Sequence, residues 1–485
     1  MSKKITLNVN SKYTIEIDRD GIKPDAHLLA IMREHGIAPD CCGGNGMCAR
    51  CKIRFLTTPT LPTAVERSVL SADELREGYR LACCVKVRSL QEEHITIVTA
   101  FVKEEIPVLE DFSTLIIGRS AAQHSTAQDF VIADIGTTTL VLKRISPDGK
   151  TVKGTYRALN PQRAFGTDVI ARIRASVEGY REALKEAIQK EVASGIRYLM
   201  QEKMEENAAE PKVTDIYVSA NTAMKQLFMG NDVSGMGSYP FTVEKPVTGT
   251  VKFMEYNLHF IPDAGTFVGS DIVAGVYALD MHMTDEVNLL IDLGTNGELV
   301  MGGKKGLVAT ATAAGPAFEN TKTFYIPGSD IIRMVSDMLD AGIIDREGLL
   351  IEPYFETGYP VNGVTITQED IRNVQKAKAA IRCGIDTLIK IYGTDGKDIS
   401  HIYLAGGFGH GLCEKSAVRI GLIPKEFEDK VVSVLNTALG GAYKLGLNHG
   451  DGTWDEINKI ADSIKVINLA EDENFANGYV EALNF

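Results

Sequence analysis

One stretch of this chain is written twice. Phe130-Val131-Ile132-Ala133-Asp134-Ile135-Gly136-Thr137-Thr138-Thr139-Leu140-Val141-Leu142 is matched by Asn288-Leu289-Leu290-Ile291-Asp292-Leu293-Gly294-Thr295-Asn296-Gly297-Glu298-Leu299-Val300. In each copy an apolar run suited to a buried strand ends in Asp-x-Gly-Thr and leads into a second strand. A second pair follows in the same order: Ile216-Tyr217-Val218-Ser219-Ala220-Asn221 and Ile402-Tyr403-Leu404-Ala405-Gly406-Gly407. Each comes after a helical stretch, near 180–204 in the first half and 367–392 in the second. Strands alternating with helices predict an α/β fold. Two copies in one order predict two lobes facing each other across a cleft, the first over about 129–285 and the second over about 286–485.

A strand that ends in a tight Gly-Thr turn offers backbone N–H groups and hydroxyls to a phosphate. The Asp at the strand end is placed to hold Mg²⁺, directly or through water. No G-x-x-x-x-G-K-[ST] stretch occurs, so a P-loop mechanism is excluded. Leu404-Ala405-Gly406-Gly407 ends a strand with glycines, where a flat adenine or ribose can approach the backbone. Glu298, just after the second turn, and Asp271, in Val268-Gly269-Ser270-Asp271, are the candidates to orient an attacking water. The other reading of each is a solvated loop carboxylate or a helix cap.

Upstream lies Cys42-Gly43-Gly44-Asn45-Gly46-Met47-Cys48-Ala49-Arg50-Cys51, with Cys83 and Cys84 further on. Iron and sulfide need soft thiolates, and glycines let a backbone curl around a cluster. The spacing predicts a plant-type [2Fe–2S] loop. Cys48 and Cys51 are set by their own spacing. The upstream ligand is Cys42 or Cys41; Cys42 is preferred because Gly43 and Gly44 follow it directly. The last is Cys83 or Cys84; Cys83 is preferred by the ferredoxin-like order Arg80-Leu81-Ala82-Cys83. A structural zinc site would need a second C-x2-C pair. Of the eight cysteines, six crowd into residues 41–84, which reads as metal binding and not as a disulfide scaffold. Cys383 and Cys413 are read as structural.

Around the cysteines, Ile5, Leu7 and Val9, then Tyr13, Ile15 and Ile17, alternate as a hairpin. A short helix carries Leu28, Leu29, Ile31 and Met32, strand 52–55 follows the loop, a second short helix falls within 63–79, and 80–87 returns as a strand. This predicts an α+β β-grasp ferredoxin domain over 1–100. Residues 101–128 read as a linker with one strand at 113–117. The expected architecture is that ferredoxin domain followed by a duplicated α/β two-lobed fold over 129–485. The net charge of −13 argues against nucleic acid and anionic membranes as partners. No apolar run approaches the ~18 residues that span a bilayer, and the first residues lack an apolar leader, so a cytoplasmic place is expected.

Residues 129–485 resemble the ATPase superfamily of actin, Hsp70 chaperones, sugar kinases and acetate kinases. The resemblance implies that Asp134, Gly136, Thr137, Thr138 and Thr139 form a first loop for phosphate and Mg²⁺. It makes Asp292, Gly294, Thr295 and Asn296 a second phosphate loop, and sets Gly406 and Gly407 at the adenosine. The combination with the cysteine loop is narrower. It resembles the ATP-dependent reductive activators of corrinoid proteins, as do 160–170, Ala313-Ala314-Gly315-Pro316-Ala317-Phe318-Glu319, and Asn436-Thr437-Ala438 with Gly441. That family implies one-electron reduction of inactive Co(II) to Co(I) through a [2Fe–2S] cluster, driven by Mg-ATP. The cluster ligands would be Cys42, Cys48, Cys51 and Cys83. The implied partners are the corrinoid protein of a methyltransferase system, which keeps the cobalamin, and a low-potential donor of ferredoxin or flavodoxin type. A homodimer through the ATPase part is also implied. Two other classes fit the same motifs: a small-molecule kinase with a redox-sensing ferredoxin module, and an ATP-driven electron activator of a radical dehydratase.

Overall fold

The computed structural model describes residues 4–9, 13–18, 21, 26–35, 51–99, 111–112, 128–201, 213–294, 296–312, 328–361, 364–406, 412–450, 452–472 and 475–485. Cys41, Cys42, Cys48, Thr295, Gly407 and the strand expected at 113–117 lie outside the described residues. The chain forms two compact units, the first built on 1–106 and the second on 107–161, 168–322 and 326–485.

In the first unit the alternating residues become strands β1 (Lys4–Val9) and β2 (Tyr13–Asp18), paired antiparallel. Ile5, Leu7, Val9, Ile15 and Ile17 all point into the core. Helix Leu28–Glu34 lays Leu28, Leu29, Ile31 and Met32 over them. Strands β3 (Lys52–Phe55), β4 (Tyr79–Leu81) and β5 (His94–Thr99) complete a sheet of order β2-β1-β5-β3-β4 in which β1 and β5 run parallel. This is the β-grasp arrangement expected. Two features differ from expectation. Residues 63–79 hold two short helices, Ala64–Val69 and Ala72–Arg76, each started by its own capping box (Thr63 with Glu66, Ser71 with Glu74). The returning strand stops at Leu81 and does not run to Val87. The amides of Cys84 and Val85 turn back to the Leu81 carbonyl, while the helix amides of Leu28 and Leu29 bond the carbonyls of Val85 and Ala82. The turn is thus paired to the helix, and no ladder remains for a strand to join.

In the second unit the repeat becomes two sheets of one design. The first holds β6 (Phe130–Ile135), β7 (Thr139–Ile145), β8 (Val152–Leu159), β9 (Asp215–Ala220), β10 (Gly249–Phe253) and β11 (Tyr256–Phe260), in the order β10-β11-β9-β6-β7-β8. The second holds β12 (Val287–Leu293), β13 (Gly297–Gly303) and β14 (Gly306–Thr312). After a small hairpin of β15 (Tyr359–Val361) and β16 (Val364–Ile366) it is completed by β17 (Ile399–Ala405), β18 (Val431–Leu435) and β19 (Ile464–Val466), giving β18-β17-β12-β13-β14-β19. In both sheets an antiparallel meander is flanked by a parallel strand: β6 on β9, and β12 on β17.

The repeat gives no hint of how two later helices are placed. Helix Ser270–Ala278, which closes the first half, packs on β12 and β13 of the second sheet as well as on β9. Helix Thr437–Leu447, from the second half, packs on β6 and β9 of the first sheet. The two helices cross each other, and their apolar residues join both sheets into one continuous core. The crossing is tight because Gly441 has no side chain: a Cβ there would stand 2.3 Å from the carbonyl oxygen of Ala274.

Candidate functional site

The first Asp-x-Gly-Thr turn joins β6 to β7. It is closed by the Gly136 amide bonding the Thr139 carbonyl at 2.9 Å. Its other carbonyls are taken by the protein. Asn160 Nδ2 donates to Gly136 O at 2.8 Å, the Asn160 amide to Thr138 O at 2.9 Å, and Arg172 Nη2 to Thr137 O at 2.6 Å. Asn221 Nδ2 donates to Thr137 Oγ1 at 2.9 Å. A turn with its carbonyls so occupied keeps its amide face for an anion. The fully buried Arg172 adds a fixed positive charge beside it. The second turn, between β12 and β13, is closed by the Gly294 amide on Asn296 O at 3.0 Å.

Four carboxylates gather at these turns. Asp134 and Asp292 end β6 and β12. Asp271 lies in the first turn of helix Ser270–Ala278, and Glu298 on β13 stands directly opposite Asp292. Asp134, Asp271 and Asp292 are half-buried and Glu298 is buried. Burial pushes Asp134 up to about 6, against a hydrogen bond from Asn436 that lowers it. Burial, then the charges of Asp271 and Asp134, push Asp292 up to about 7. Glu298 is raised well above the usual range by burial and by Asp271 and Asp292, and Asp271 is raised by burial. Such crowding of acid groups is what a bound cation would relieve. Neither Asp271 nor Glu298 is a solvated loop carboxylate.

Gly406 follows β17 with φ +84, and a Cβ there would lie 2.5 Å from Asp292 Oδ1 and 2.6 Å from Leu293 O. Only glycine fits this close to the second turn, whatever molecule lies beyond it.

Asn436 belongs to the Asn436-Thr437-Ala438 stretch noted in the sequence, although its contact with Asp134 does not show there, and Lys225 and Arg172 are not marked in the sequence at all. Asn436 caps helix Thr437–Leu447 and reaches Asp134 Oδ2 with its Nδ2 at 2.8 Å. Lys225 is fully buried, paired with Asp263 at 2.7 Å and donating to Ile261 O at 2.7 Å. Burial lowers Lys225 and raises Asp263 to about 6, each opposed by the other's charge, and Asp271 also feels Lys225. A conserved-looking local pattern offers no way to find Lys225 or Arg172; in a helix each resembles a solvent-facing cation.

In the first unit, pairing of β3 with β4 sets Lys52 against Leu81, and the Ala82 amide bonds Cys51 O at 2.8 Å. The turn after β4 then brings Cys83 Sγ to 3.2 Å from Cys51 Sγ. Both thiols are buried, whereas Cys84 is half-buried and its sulfur is 3.9 Å from that of Cys83. Burial first, then Cys83, pushes the Cys84 thiol up to about 12. Two juxtaposed soft donors fit a cluster. Glu66, buried in this unit, accepts from the Thr63 amide at 2.7 Å and the Leu81 amide at 2.8 Å, so it fixes the strand end that aims Cys83.

Comparison with known proteins follows these units. A profile for the 2Fe-2S iron-sulfur cluster binding domain matches residues 12–88. The RACo middle region matches 131–284, and the C-terminal domain of RACo, the ASKHA domain, matches 286–325 and 320–485. The corrinoid activation enzyme RamQ of Eubacterium limosum is 29% identical over 417 residues, 72% of this chain and 68% of that one. The [Co(II) methylated amine-specific corrinoid protein] reductase of Methanosarcina barkeri is 26% identical over 45% of this chain, which spans 49% of that relative's length. A solved reductive activator for corrinoid, iron-sulfur protein superposes with a TM-score of 0.65 at 23% identity, covering 99% of this chain and 98% of its own. Among the described residues no helix is long and apolar enough to cross a membrane. With a [2Fe–2S] ferredoxin domain ahead of both RACo regions in order, this chain belongs to the RACo family of ferredoxin–ASKHA ATPase fusions.

Proposed function

We infer that this protein reductively activates a corrinoid protein, passing one electron to inactive Co(II) to give Co(I) and hydrolysing ATP to do so. One observation carries the reading: Asp134 and Asp292, one from each copy of the repeat, share a field with Asp271 and Glu298 in a chain that also bears a ferredoxin unit. The two curated relatives named above are corrinoid activation enzymes or reductases, and they supply the class of partner. A plant-type cluster supplies electrons near about −400 mV. That is insufficient for a favourable transfer to Co(II), so a second free-energy source must favour the productive complex.

The residues divide the work. Cys51 and Cys83 would hold the cluster together with Cys42 and Cys48, and the cluster would supply one-electron transfer. The turns at Gly136–Thr139 and Gly294–Asn296 bind phosphates, and Gly406 with Gly407 border the adenosine. Asp134 and Asp292 are the residues that would hold Mg²⁺, directly or through water. Among the described residues no three His, Cys, Asp or Glu side chains form a metal cage, and Mg²⁺ ordinarily keeps several waters. Glu298 orients the attacking water, and Asp271 assists it. The donor is a low-potential ferredoxin or flavodoxin, and the ATPase unit forms a homodimer.

The test is to mix the reduced protein with a Co(II) corrinoid protein and follow the Co(I) absorption with and without Mg-ATP. Co(I) formation that ignores Mg-ATP overturns the reading, and so does transfer of the phosphate to a metabolite.

A further inference from the structure

Asn436 sits where three parts of the second unit meet. Its side chain accepts from the Leu439 amide at 2.8 Å and donates to Asp134 Oδ2 at 2.8 Å. Its carbonyl accepts from the Gly440 amide at 3.1 Å. Its own amide is bonded by neither helix nor sheet; it donates to the carbonyl of Asp111 at 3.1 Å. Asp111 and the next residue are the described part of the stretch that follows the ferredoxin unit.

The backbone leading to Asn436 is held in an unusual shape. The β17–β18 register passes from Leu404↔Ser433 to Ala405↔Leu435, which leaves Val434 as a bulge. Leu435 then takes φ +58, a left-handed conformation that a leucine adopts only when its surroundings impose it. Phe112 forms an antiparallel bridge to this same Leu435. The Phe112 ring packs on Tyr443 with centroids 5.0 Å apart, and Tyr443 is itself anchored by its hydroxyl to Gly149 O at 3.0 Å.

We propose that Asn436 is the positioning residue for Asp134, and that Asp111 and Phe112 hold Asn436 in that position, so that ATP turnover depends on how the stretch leaving the ferredoxin unit is seated. The proposal rests on the ATP-site reading given above. It follows from linkage that nucleotide at Asp134 must in turn favour the seated form of Phe112.

The test uses the full chain with its cluster. Asn436→Ser keeps a good helix cap but removes the amide donor to Asp134. It should lower kcat for ATP hydrolysis about tenfold or more, with little change in KM. Phe112→Ala should lower kcat severalfold in the wild-type background and not at all in the Asn436→Ser background, because both act through one contact. Hydrogen exchange at the Asn436 amide should quicken in Phe112→Ala while β6 exchanges as before. Phe112→Ala with unchanged kcat, or with the same loss in both backgrounds, overturns the proposal alone. A wild-type chain that neither binds nor hydrolyses Mg-ATP overturns the site reading and the proposal with it.

Discussion

Asp292 and Glu298 face each other across the β12–β13 ladder, two carboxylates on one sheet face. Like charges so placed repel, and a sheet retains them only for a reason outside its own stability. In the first sheet the residue opposite Asp134 is Val141. The two copies differ in the residue itself, since Leu140 holds in the first the sequence place that Glu298 holds in the second, and the registers around the two turns differ as well. Ile135 pairs with Leu140 around Gly136–Thr139, whereas Leu293 pairs with Gly297 around the shorter Gly294–Asn296. Only the second copy carries a carboxylate opposite its turn aspartate, and that asymmetry is why Glu298 is the residue proposed to orient the water.

Glu298→Gln keeps the shape and removes the charge. If Glu298 orients or deprotonates the attacking water, kcat for ATP hydrolysis should fall about a hundredfold or more, with KM for ATP little changed. Release of inorganic phosphate measures this. A variant that keeps full turnover would leave Glu298 without a part in the chemistry.

The same crowding sets a pH dependence. Asp292 is pushed up to about 7 by burial and then by Asp271 and Asp134, and Asp134 up to about 6 by burial. A carboxyl whose folded-state value is raised stabilises most when protonated, and that contribution is lost as pH rises from about 4 through 7. Asp292→Asn should thus raise the melting temperature of the nucleotide-free protein at pH 8 and change it little at pH 4. Allowing for partial solvent access, the gain is roughly 2–3 kcal/mol. Calorimetry at the two pH values checks it; a gain equal at both would assign the effect to packing.

What could be read in the sequence was what is local. The Asp-x-Gly-Thr turns, the cysteine spacing and the alternating strand residues each declare themselves within a few positions. The bond from Asn436 to Asp134 spans 302 residues, and nothing near either residue announces the other. The exchange of helices between the sheets is equally silent, since an apolar helix face does not say which sheet it will cover. Glu66 shows the boundary well. Its capping box with Thr63 is a local pattern, but the reach of the same carboxylate to Leu81 exists only once β4 has paired with β3.

That reach makes Glu66 testable. Cys83→Ser should empty the [2Fe–2S] site, while Cys84→Ser should retain it, because Cys83 alone of the pair meets Cys51 at 3.2 Å. Glu66→Ala leaves the Leu81 amide without its acceptor, at a cost of about 1–3 kcal/mol, and frees the strand end beside Cys83. The expected result is a folded ferredoxin unit that loses iron faster than wild type on dilution, read from visible absorption and iron content. Equal cluster loss in wild type and variant would show that the strand end needs no such support.

Gly441→Ala sets two effects against each other. Alanine favours a helix over glycine by about 1 kcal/mol. Against that, the new methyl would lie 2.3 Å from Ala274 O and 2.6 Å from Ala274 C and Cα, all backbone atoms that no rotamer change can move. The helices must part, and overpacking of this kind costs about 1–3 kcal/mol. The clash wins. Its effect is not confined to stability, because one helix begins at Ser270 with Asp271 in its first turn and the other is capped by Asn436, which holds Asp134. A lower melting temperature and a fall in kcat for ATP hydrolysis should therefore appear together. Gly478→Ala is the control: it lies in helix Phe475–Glu481 with its nearest neighbour, Cys383 Sγ, at 3.6 Å, so the helix preference acts unopposed and the melting temperature should rise or hold. If Gly441→Ala behaves like that control, the helix crossing does not set the spacing of the two Asp-x-Gly-Thr turns.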